Sequence, residues 1–450
     1  MKANPSIFRA YDVRGVYGKD LDEEVMEKIG NAFASLYVKE EAVVGMDARN
    51  SGPSLREAFI AGVTRSGKKV RDVGLVPRGA CLYWAWKLKL PSAYITASHL
   101  TPEWNGVKFG YEDGVEFFED DNYRIRDFVT GGKSEISERA REARKEEINE
   151  SYRKFILSRI RKCEKPLKVV VDCGNGTGGL AAPALFEGIG CSVNTLFGEP
   201  DGSFPNRPSE VDEESLSELR KRVKGADIGV AYDGDSDRMS LMDDKGRLLG
   251  PETASSLILQ ELAKTEKGPI IANVECLKLM DEIARKHGRS LYRIRVGNSF
   301  MVREVEKRKA CFGVEKSGHF CIPSIIPMDD GIAASLFAAS ALSRTGKKLS
   351  EIVDSLPEYP FERVKVPCGD NIKFRVMENM KKRLSSEFGS VNTIDGVRVD
   401  FDYGWVLVRA SNTEPAIRIS VEAENRGRLS EIREKFSYIL EEEKEATISS

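Results

Sequence analysis

The sequence predicts an α/β protein of several domains that ends in a smaller α+β unit, and three observations carry that prediction. Its 450 residues exceed what one hydrophobic core organises, since domains run to about 100–200 residues. Apolar, β-rich runs alternate with helical periodicity through most of the chain, the pattern of sheets layered with helices. Beyond Pro367 short strands gather beside segregated helices instead, which marks an α+β unit.

Taken in order, the strand-like runs are Ala42–Met46, Tyr94–Thr96, Lys168–Val171, Asp227–Tyr232 and Pro269–Asn273. Helical patterns fall between them at Asp22–Val38, Ser54–Ser66, Glu213–Val223 and Thr253–Lys264. The charged stretch Ser137–Lys165, with Glu and Arg or Lys at i,i+4 spacings, predicts one long solvated helix joining the first unit to the second. Gly/Pro/Asp-rich stretches at Gly198–Pro208 and Leu356–Pro360 read as further joints. The last unit predicts a helix over Ile372–Phe388, strands at Val397–Phe401, Trp405–Arg409 and Ala416–Val421, and a final helix over Leu429–Glu443. Three strands end in an acidic residue before a turn, Asp47, Asp172 and Asp233, which hints at related α/β units. Four domains account for this better than three: residues 1–150, 151–250, 251–365 and 366–450.

Charge and composition exclude several classes. Lys plus Arg number 69 and Asp plus Glu 71, a formal charge of −2, so nothing points to nucleic acid or an anionic membrane as partner. The chain is 41% hydrophobic and 31% charged, too apolar for disorder. Gly331–Leu342, the longest weakly polar stretch, is too short to span a bilayer. The opening residues lack the apolar centre of a secretion signal. Eight scattered cysteines without a CxxC pair, and only three histidines, disfavour a zinc site and suit reduced thiols in a cytoplasmic protein.

Four loops carry candidate chemistry. In Asp233-Gly-Asp235-Ser-Asp237-Arg238 three carboxylates at alternate positions follow a strand, a donor set for Mg²⁺ or Ca²⁺. A plain acidic turn is the bland alternative. A helix–loop–helix calcium loop also begins D-x-D-x-D, and Asp244 falls at its twelfth position, but Arg238 occupies the sixth, where the turn needs glycine. Arg238 makes better sense if a phosphate shares the cation. The second loop presents Ser98 and His99 at a strand end, with Asn105-Gly106 and Lys108 downstream. A serine needs a base or a metal to act as nucleophile, and no G-x-S-x-G elbow is present. Many such Ser-His pairs are incidental. The third, Glu315-Lys-Ser317-Gly-His319, mixes donors and acceptors as sugar hydroxyls require, or merely forms a turn. The fourth, Arg409-Ala-Ser411-Asn412-Thr413, followed by Arg418, has the composition of a phosphate cradle without a P-loop lysine. Gly174-Asn-Gly-Thr-Gly-Gly179 has a superficial likeness to a dinucleotide fingerprint, for which a tight strand-to-helix turn is the better account.

Together, in this order and spacing, the four loops resemble those of the α-D-phosphohexomutase superfamily of phosphoglucomutases and phosphomannomutases. The resemblance extends to Phe8–Gly15, Gly45–Gly52 and Asp395-Gly-Val397, and so to nearly the whole chain. It implies three similar α/β domains with mixed sheets and a smaller C-terminal α+β domain around a central cleft. It implies a phosphoserine at Ser98, with one Mg²⁺ held by that group and Asp233, Asp235 and Asp237. Lys108, His99, Arg14 and Arg238 would surround the transferred group, with Lys108 or His99 as proton carrier. Glu315, Ser317, His319, Arg295 and Gly297 would face the sugar, and Arg409, Ser411, Asn412, Thr413 and Arg418 the phosphate that is not reacting. Leu100-Thr101 replaces the family's usual Asn-Pro.

The implied activity interconverts hexose 1-phosphate and hexose 6-phosphate, of mannose or glucose, through a hexose 1,6-bisphosphate that serves as intermediate and activator. A phosphoglucosamine mutase is the nearest alternative, although relatives of that type usually carry Gly where Asn412 stands. A calcium-binding or phosphosugar-binding protein without turnover, or a phosphatase, would belong to a different class.

Overall fold

The computed structural model describes residues 3–137, 141–411 and 415–449, and sets them on four sheets. The first runs in the order Val13–Val16, Trp104–Gly110, Ser92–Ile95, Glu41–Met46, Lys69–Leu75, Ala143–Lys145. The second runs Leu248–Leu249, Met239–Asp243, Ile228–Tyr232, Lys168–Asp172, Ser192–Leu196. The third runs Leu291–Ile294, Ile270–Asn273, Phe312–Val314, Phe320–Cys321. All three are mixed, and their central strands are buried along their length, as strands covered by helices on both faces must be. The fourth, Phe361–Pro367, Ala416–Ala423, Gly404–Ala410, Val397–Phe401, is antiparallel throughout, with the helices Lys373–Phe388 and Arg426–Ser449 packed on it. Three α/β units and one α+β unit are therefore the architecture.

One device recurs in the first three sheets. A buried strand leaves the parallel part, turns, and comes back antiparallel: Ser92–Ile95 into Trp104–Gly110, Ile228–Tyr232 into Met239–Asp243, and Phe312–Val314 into Phe320–Cys321. The three turns are the serine, acidic and Glu315–His319 loops. Asp47 and Asp172 are also matched, each closing a parallel strand and binding an arginine, Arg49 at 3.1 Å and Arg207 at 2.9 Å. Asp233 belongs instead to the return turn, so the three acidic strand ends are not one repeated position.

Elsewhere the sequence expectations were adjusted by tertiary partners. Ser137–Lys165 is not one long helix. The edge of Lys69–Leu75 pairs with Ala143–Lys145 as a sixth strand, and the helix is confined to Asn149–Arg159, residues 138–140 lying outside the described part. Ile148, Tyr152, Ile156 and Ile160 form a buried stripe at four-residue spacing, so the element is amphipathic and docks rather than standing in solvent. The helix expected at Glu213–Val223 starts later, at Ser217, because the Asp212 carboxylate accepts from the amides of Glu214 and Ser215 and holds a turn there. Phe361–Pro367 is a strand through which the chain enters the fourth sheet, paired with Ala416–Ala423 over its whole length.

The units dock through apolar seams. Helices Arg78–Leu88, Pro251–Thr265 and Gly331–Thr345 contribute to one core shared by the first three units. The fourth unit meets the third where Trp405 and Leu407 cover Val274, reinforced by Arg398 donating to the Val274 carbonyl at 2.7 Å. Among the described residues no helix is long and apolar enough to cross a membrane.

Candidate active site

Ser98 is fully buried and sits in the left-handed region at φ 51°, a conformation that costs a non-glycine residue energy and persists only when its surroundings enforce it. They do. Its carbonyl accepts from Arg49 at 2.8 Å and from Ser209 Oγ at 2.7 Å, while its amide donates to Thr96 Oγ1 at 2.7 Å. The same Arg49 guanidinium reaches the carbonyls of Leu100 and Thr101 at 2.6 Å and of Trp104 at 2.9 Å. The loop is thus shaped by backbone carbonyls gathered on one buried arginine. The clamp therefore accommodates Leu100-Thr101, since it does not read side chains.

From this position Ser98 Oγ donates to Asp233 Oδ2 at 2.9 Å, with His99 Nδ1 3.4 Å away. The contact joins the turn of the first sheet to the turn of the second. Gly234 allows the approach, because a Cβ there would stand 2.8 Å from the Ser98 carbonyl oxygen and 2.5 Å from Ser209 Oγ.

Asp233, Asp235 and Asp237 are buried, and one carboxylate oxygen from each lies within 4.8 Å of the other two. Such crowding needs cations. Lys108 Nζ lies 2.9 Å from Asp237, Arg78 Nη1 3.6 Å and His319 Nε2 3.5 Å. Burial raises Asp233 well above the carboxylate range, and the Asp237 and Asp235 charges add to it. Asp237 is held well below that range: burial opposes its charge, but Lys108, His319 and Arg78 outweigh it. Among the described residues Asp235 Oδ1 and Asp237 Oδ1 are buried without a hydrogen bond, the latter facing His319 Nε2 at 3.5 Å, which is costly unless a ligand completes them. Three converging hard oxygen donors, two with oxygens that make no hydrogen bond, fit a divalent cation of the Mg²⁺ kind.

His99 is half-buried. Burial, and then the charges of Arg238, Arg14 and Lys108, hold its imidazole far below the usual histidine range, so it is neutral. Arg14 is itself buried against Asp12 at 2.6 Å. In the third turn His319 lies 3.4 Å from Glu315 and 2.9 Å from Ser317 Oγ. Burial works against its charge, yet Asp237 and then Glu315 raise it to about 9. Glu315 also accepts from the Gly297 amide at 2.7 Å and from Asn273 Nδ2 at 3.1 Å, so Gly297 serves the site through its backbone. The serine, acidic and Glu315–His319 turns therefore form one connected cluster.

The fourth group stands apart from it. Arg409 is buried, bonded to Glu275 of the third unit at 3.1 Å and 3.9 Å from Asp395. Arg418 is its direct cross-strand neighbour. Ser411 is buried, and its carbonyl accepts from Lys373 at 2.6 Å. Asn412 and Thr413 lie outside the described residues. Arg409, Arg295 and Lys373 line a cavity of about 690 Å³ between the N-terminal segment, near Arg9, and the fourth unit. The aspartate triplet does not line it.

Sequence reasoning passed over Arg78, Glu116 and Asp329, which complete the charge cluster behind the triplet. Arg78 pairs with Glu116 and stands 4.0 Å from Asp329. Nothing in Pro77-Arg78-Gly79 distinguishes this arginine from a surface one. Arg49 lies within Gly45–Gly52, where the Asp47-Ala-Arg49 pattern is the available signal.

Comparison with known proteins agrees with this geometry. Family models for phosphoglucomutase/phosphomannomutase match in series: alpha/beta/alpha domain I over residues 5–135, domain II over 148–246, domain III over 251–359 and the C-terminal domain over 364–438. A protein of Methanopyrus kandleri named "Probable phosphoglucosamine mutase" is 34% identical, with 96% of this chain and 97% of the relative covered. A phosphomannomutase/phosphoglucomutase of Pseudomonas putida is 35% identical, over 96% and 94%. A crystal structure of a phosphoglucomutase/phosphomannomutase family protein from Burkholderia thailandensis superposes with a TM-score of 0.89 at 30% identity, over 98% of both chains.

Proposed function

Because this chain belongs to the phosphoglucomutase/phosphomannomutase family and is a phosphomutase, we propose that it interconverts the 1- and 6-phosphates of mannose and glucose through phosphorylated Ser98. The observation that carries this reading is the 2.9 Å contact between Ser98 Oγ and Asp233, which puts a strained, fully buried hydroxyl on the rim of an acidic cluster. A serine kept for structure needs neither the left-handed backbone nor the carbonyl clamp.

Asp233, Asp235 and Asp237, with the Ser98 side chain, would hold Mg²⁺. When bound, that cation neutralises charge on the phosphoryl oxygens and on the leaving oxygen. Arg238 and Arg14 present fork-shaped donors to the same phosphoryl group, and Arg78 offsets the carboxylates from behind. The phosphoryl group passes from Ser98 to the free hydroxyl of the hexose monophosphate, giving a 1,6-bisphosphate that reverses and returns its other phosphate to Ser98. A base must take the hydroxyl proton and later restore it. His99 binds protons too weakly for that role, so it orients the serine oxygen. Lys108, hydrogen-bonded to Asp237, is the proton carrier.

Glu315, Ser317 and His319 bind sugar hydroxyls, with Arg295 and Gly297 flanking them. Arg409, Ser411, Asn412, Thr413 and Arg418 receive the distal phosphate, at either end of the sugar. That second anion site separates a mutase from a phosphatase, and its lying in another unit allows closure to exclude water. The units divide near residues 148, 250 and 360, ahead of the helix Asn149–Arg159, the helix Pro251–Thr265 and the strand Phe361–Pro367, and we place the enzyme in the cytoplasm. Phosphoglucosamine mutase is a second reading, favoured by the name of the Methanopyrus relative.

The test assays one preparation against mannose, glucose and glucosamine phosphates, alongside its intact mass. We expect one serine phosphate per chain and isomerised mannose and glucose phosphates. Exclusive turnover of glucosamine phosphate would transfer the assignment to the second reading. Inorganic phosphate released without isomerised product would make it a phosphatase.

A further inference from the structure

Cys163 and Cys191 lie outside the candidate active site with their sulfurs 3.6 Å apart. Among the described residues Cys163 is the one half-buried cysteine, and the other seven are buried. Two backbone hydrogen bonds bracket the pair. The Cys163 amide donates to the Ile189 carbonyl at 2.8 Å, and the Ser192 amide to the Leu167 carbonyl at 2.8 Å. The two segments are thus already fastened on both sides of the sulfurs. Reaching a covalent S–S separation of about 2.05 Å needs an approach of about 1.5 Å, within the range of side-chain rotation.

The place matters as much as the distance. Cys163 is in the segment that leads from Asn149–Arg159 into the second sheet, and Cys191 directly precedes the edge strand Ser192–Leu196. That entry segment is also the seam with Gly331–Thr345 of the third unit. Ser340 Oγ donates to the Arg161 carbonyl at 2.6 Å, and the Glu164 amide donates to Ser343 Oγ at 3.1 Å.

We propose that Cys163 and Cys191 form a reversible, peroxide-driven disulfide that clamps the entry of the second domain at its seam with the third. The Cys163 thiolate attacks a hydroperoxide oxygen, the O–O bond breaks, and hydroxide or alkoxide departs and takes a proton from solvent, leaving a sulfenic acid at Cys163. The Cys191 thiol then attacks that sulfur, the S–O bond breaks, and water leaves with the thiol proton as the S–S bond forms. Two electrons pass from the thiols to the peroxide, and a dithiol reductant returns them. Cys163 is suited to the first step because its hydrogen bonding with Cys191 outweighs burial and lowers its thiol to about 7. The crosslink joins cysteines 28 positions apart in sequence, so oxidation restricts the unfolded chain and raises thermal stability.

The experiment treats the folded full-length chain with hydrogen peroxide, blocks remaining thiols, and maps peptides by mass spectrometry beside a thermal melt. We expect a linked Cys163–Cys191 peptide, a loss of two hydrogens per chain, and a melting midpoint higher by several degrees that reverts with dithiothreitol. In Cys191→Ser, which keeps a hydroxyl donor beside Cys163 but cannot form the crosslink, the linked peptide and the shift disappear, and a sulfenic-acid probe labels Cys163. Sulfinic acid at Cys163 in the unmutated chain without any linked peptide overturns the proposal, as does oxidation of the buried cysteines at the same rate. Phosphomutase activity in the reduced Cys163→Ala and Cys191→Ser variants should match the unmutated chain, since neither thiol touches the site.

Discussion

Arg49 donates to the carbonyl of Ser98 at 2.8 Å, and through that contact a residue of the turn after Glu41–Met46 decides where the hydroxyl in the turn between Ser92–Ile95 and Trp104–Gly110 points. The guanidinium is wholly buried against Asp47 and spends its remaining donors on three further carbonyls of the same loop. Lysine has the charge but not the planar fork. In Arg49→Lys we expect kcat to fall about 100-fold, the usual consequence of misplacing a reacting group by about an ångström, with a much smaller change in KM. A larger change in KM than in kcat would mean that Arg49 supports binding rather than the serine.

Replacing Ser98 itself should end isomerisation. Ser98→Ala removes one buried hydroxyl whose partner is Asp233, a change of about 1 kcal/mol in stability, so the variant should fold. Its intact mass should lack the phosphate. Measurable turnover in Ser98→Ala would remove this residue from the reaction.

Metal dependence follows from the triplet. Exhaustive chelation should abolish activity and Mg²⁺ should restore it. In Asp235→Asn the Mg²⁺ concentration needed for half-maximal activity should rise by at least about tenfold, since one charged hard donor becomes neutral. Activity that survives chelation, confirmed by metal analysis, argues against a bound cation.

Arg409→Ala should act on binding. A charge-assisted hydrogen bond contributes about 1.5–3 kcal/mol, so KM for the hexose phosphate should rise about 10- to 100-fold while kcat changes less. An unaltered KM would detach Arg409 from the distal phosphate. Stability is the control here, because the change also leaves Glu275 buried with, among the described residues, Arg363 as its remaining ion-pair partner at 3.4 Å.

Asp330 gives a pH dependence independent of turnover. It caps Gly331–Thr345 by accepting from the Ala333 amide and takes a hydrogen bond from Tyr152 at 2.7 Å. Burial raises its carboxyl from 3.8 to about 6, so the folded chain prefers the protonated form. Folding therefore loses stability as pH rises from about 4 through 6, a total of about 3 kcal/mol from this group. Asn keeps the capping oxygen and cannot ionise. Melts of Asp330→Asn from pH 4 to 7 should fall less steeply than those of the unmutated chain. Parallel curves would assign the slope to other groups.

Much of this protein was legible in its sequence, because the readable features are local. Strands such as Ile228–Tyr232 are continuous apolar runs, since a strand covered on both faces has no polar side. The helix Glu23–Tyr37 shows its amphipathic period and its capping Asp22. The loops that follow these elements hold chemistry that needs particular residue types at short spacing, as in the three aspartates of residues 233–237. What escaped depends on partners distant in sequence. Ala143–Lys145 became a strand because an unpaired edge of Lys69–Leu75 was within reach, and a charged run carries no sign of that. Arg78 looks like any helix-start arginine until folding sets it beside Asp237, more than 150 positions away. The sequence by itself determined which groups are available: a serine, an acidic triplet, and arginines for phosphates. Tertiary structure alone decided that the serine is strained and bonded to Asp233, that His99 is neutral, and that Arg409 is tied to the third unit through Glu275. Charge state and backbone strain are set by burial and by neighbours, and neighbours exist only once the chain has folded.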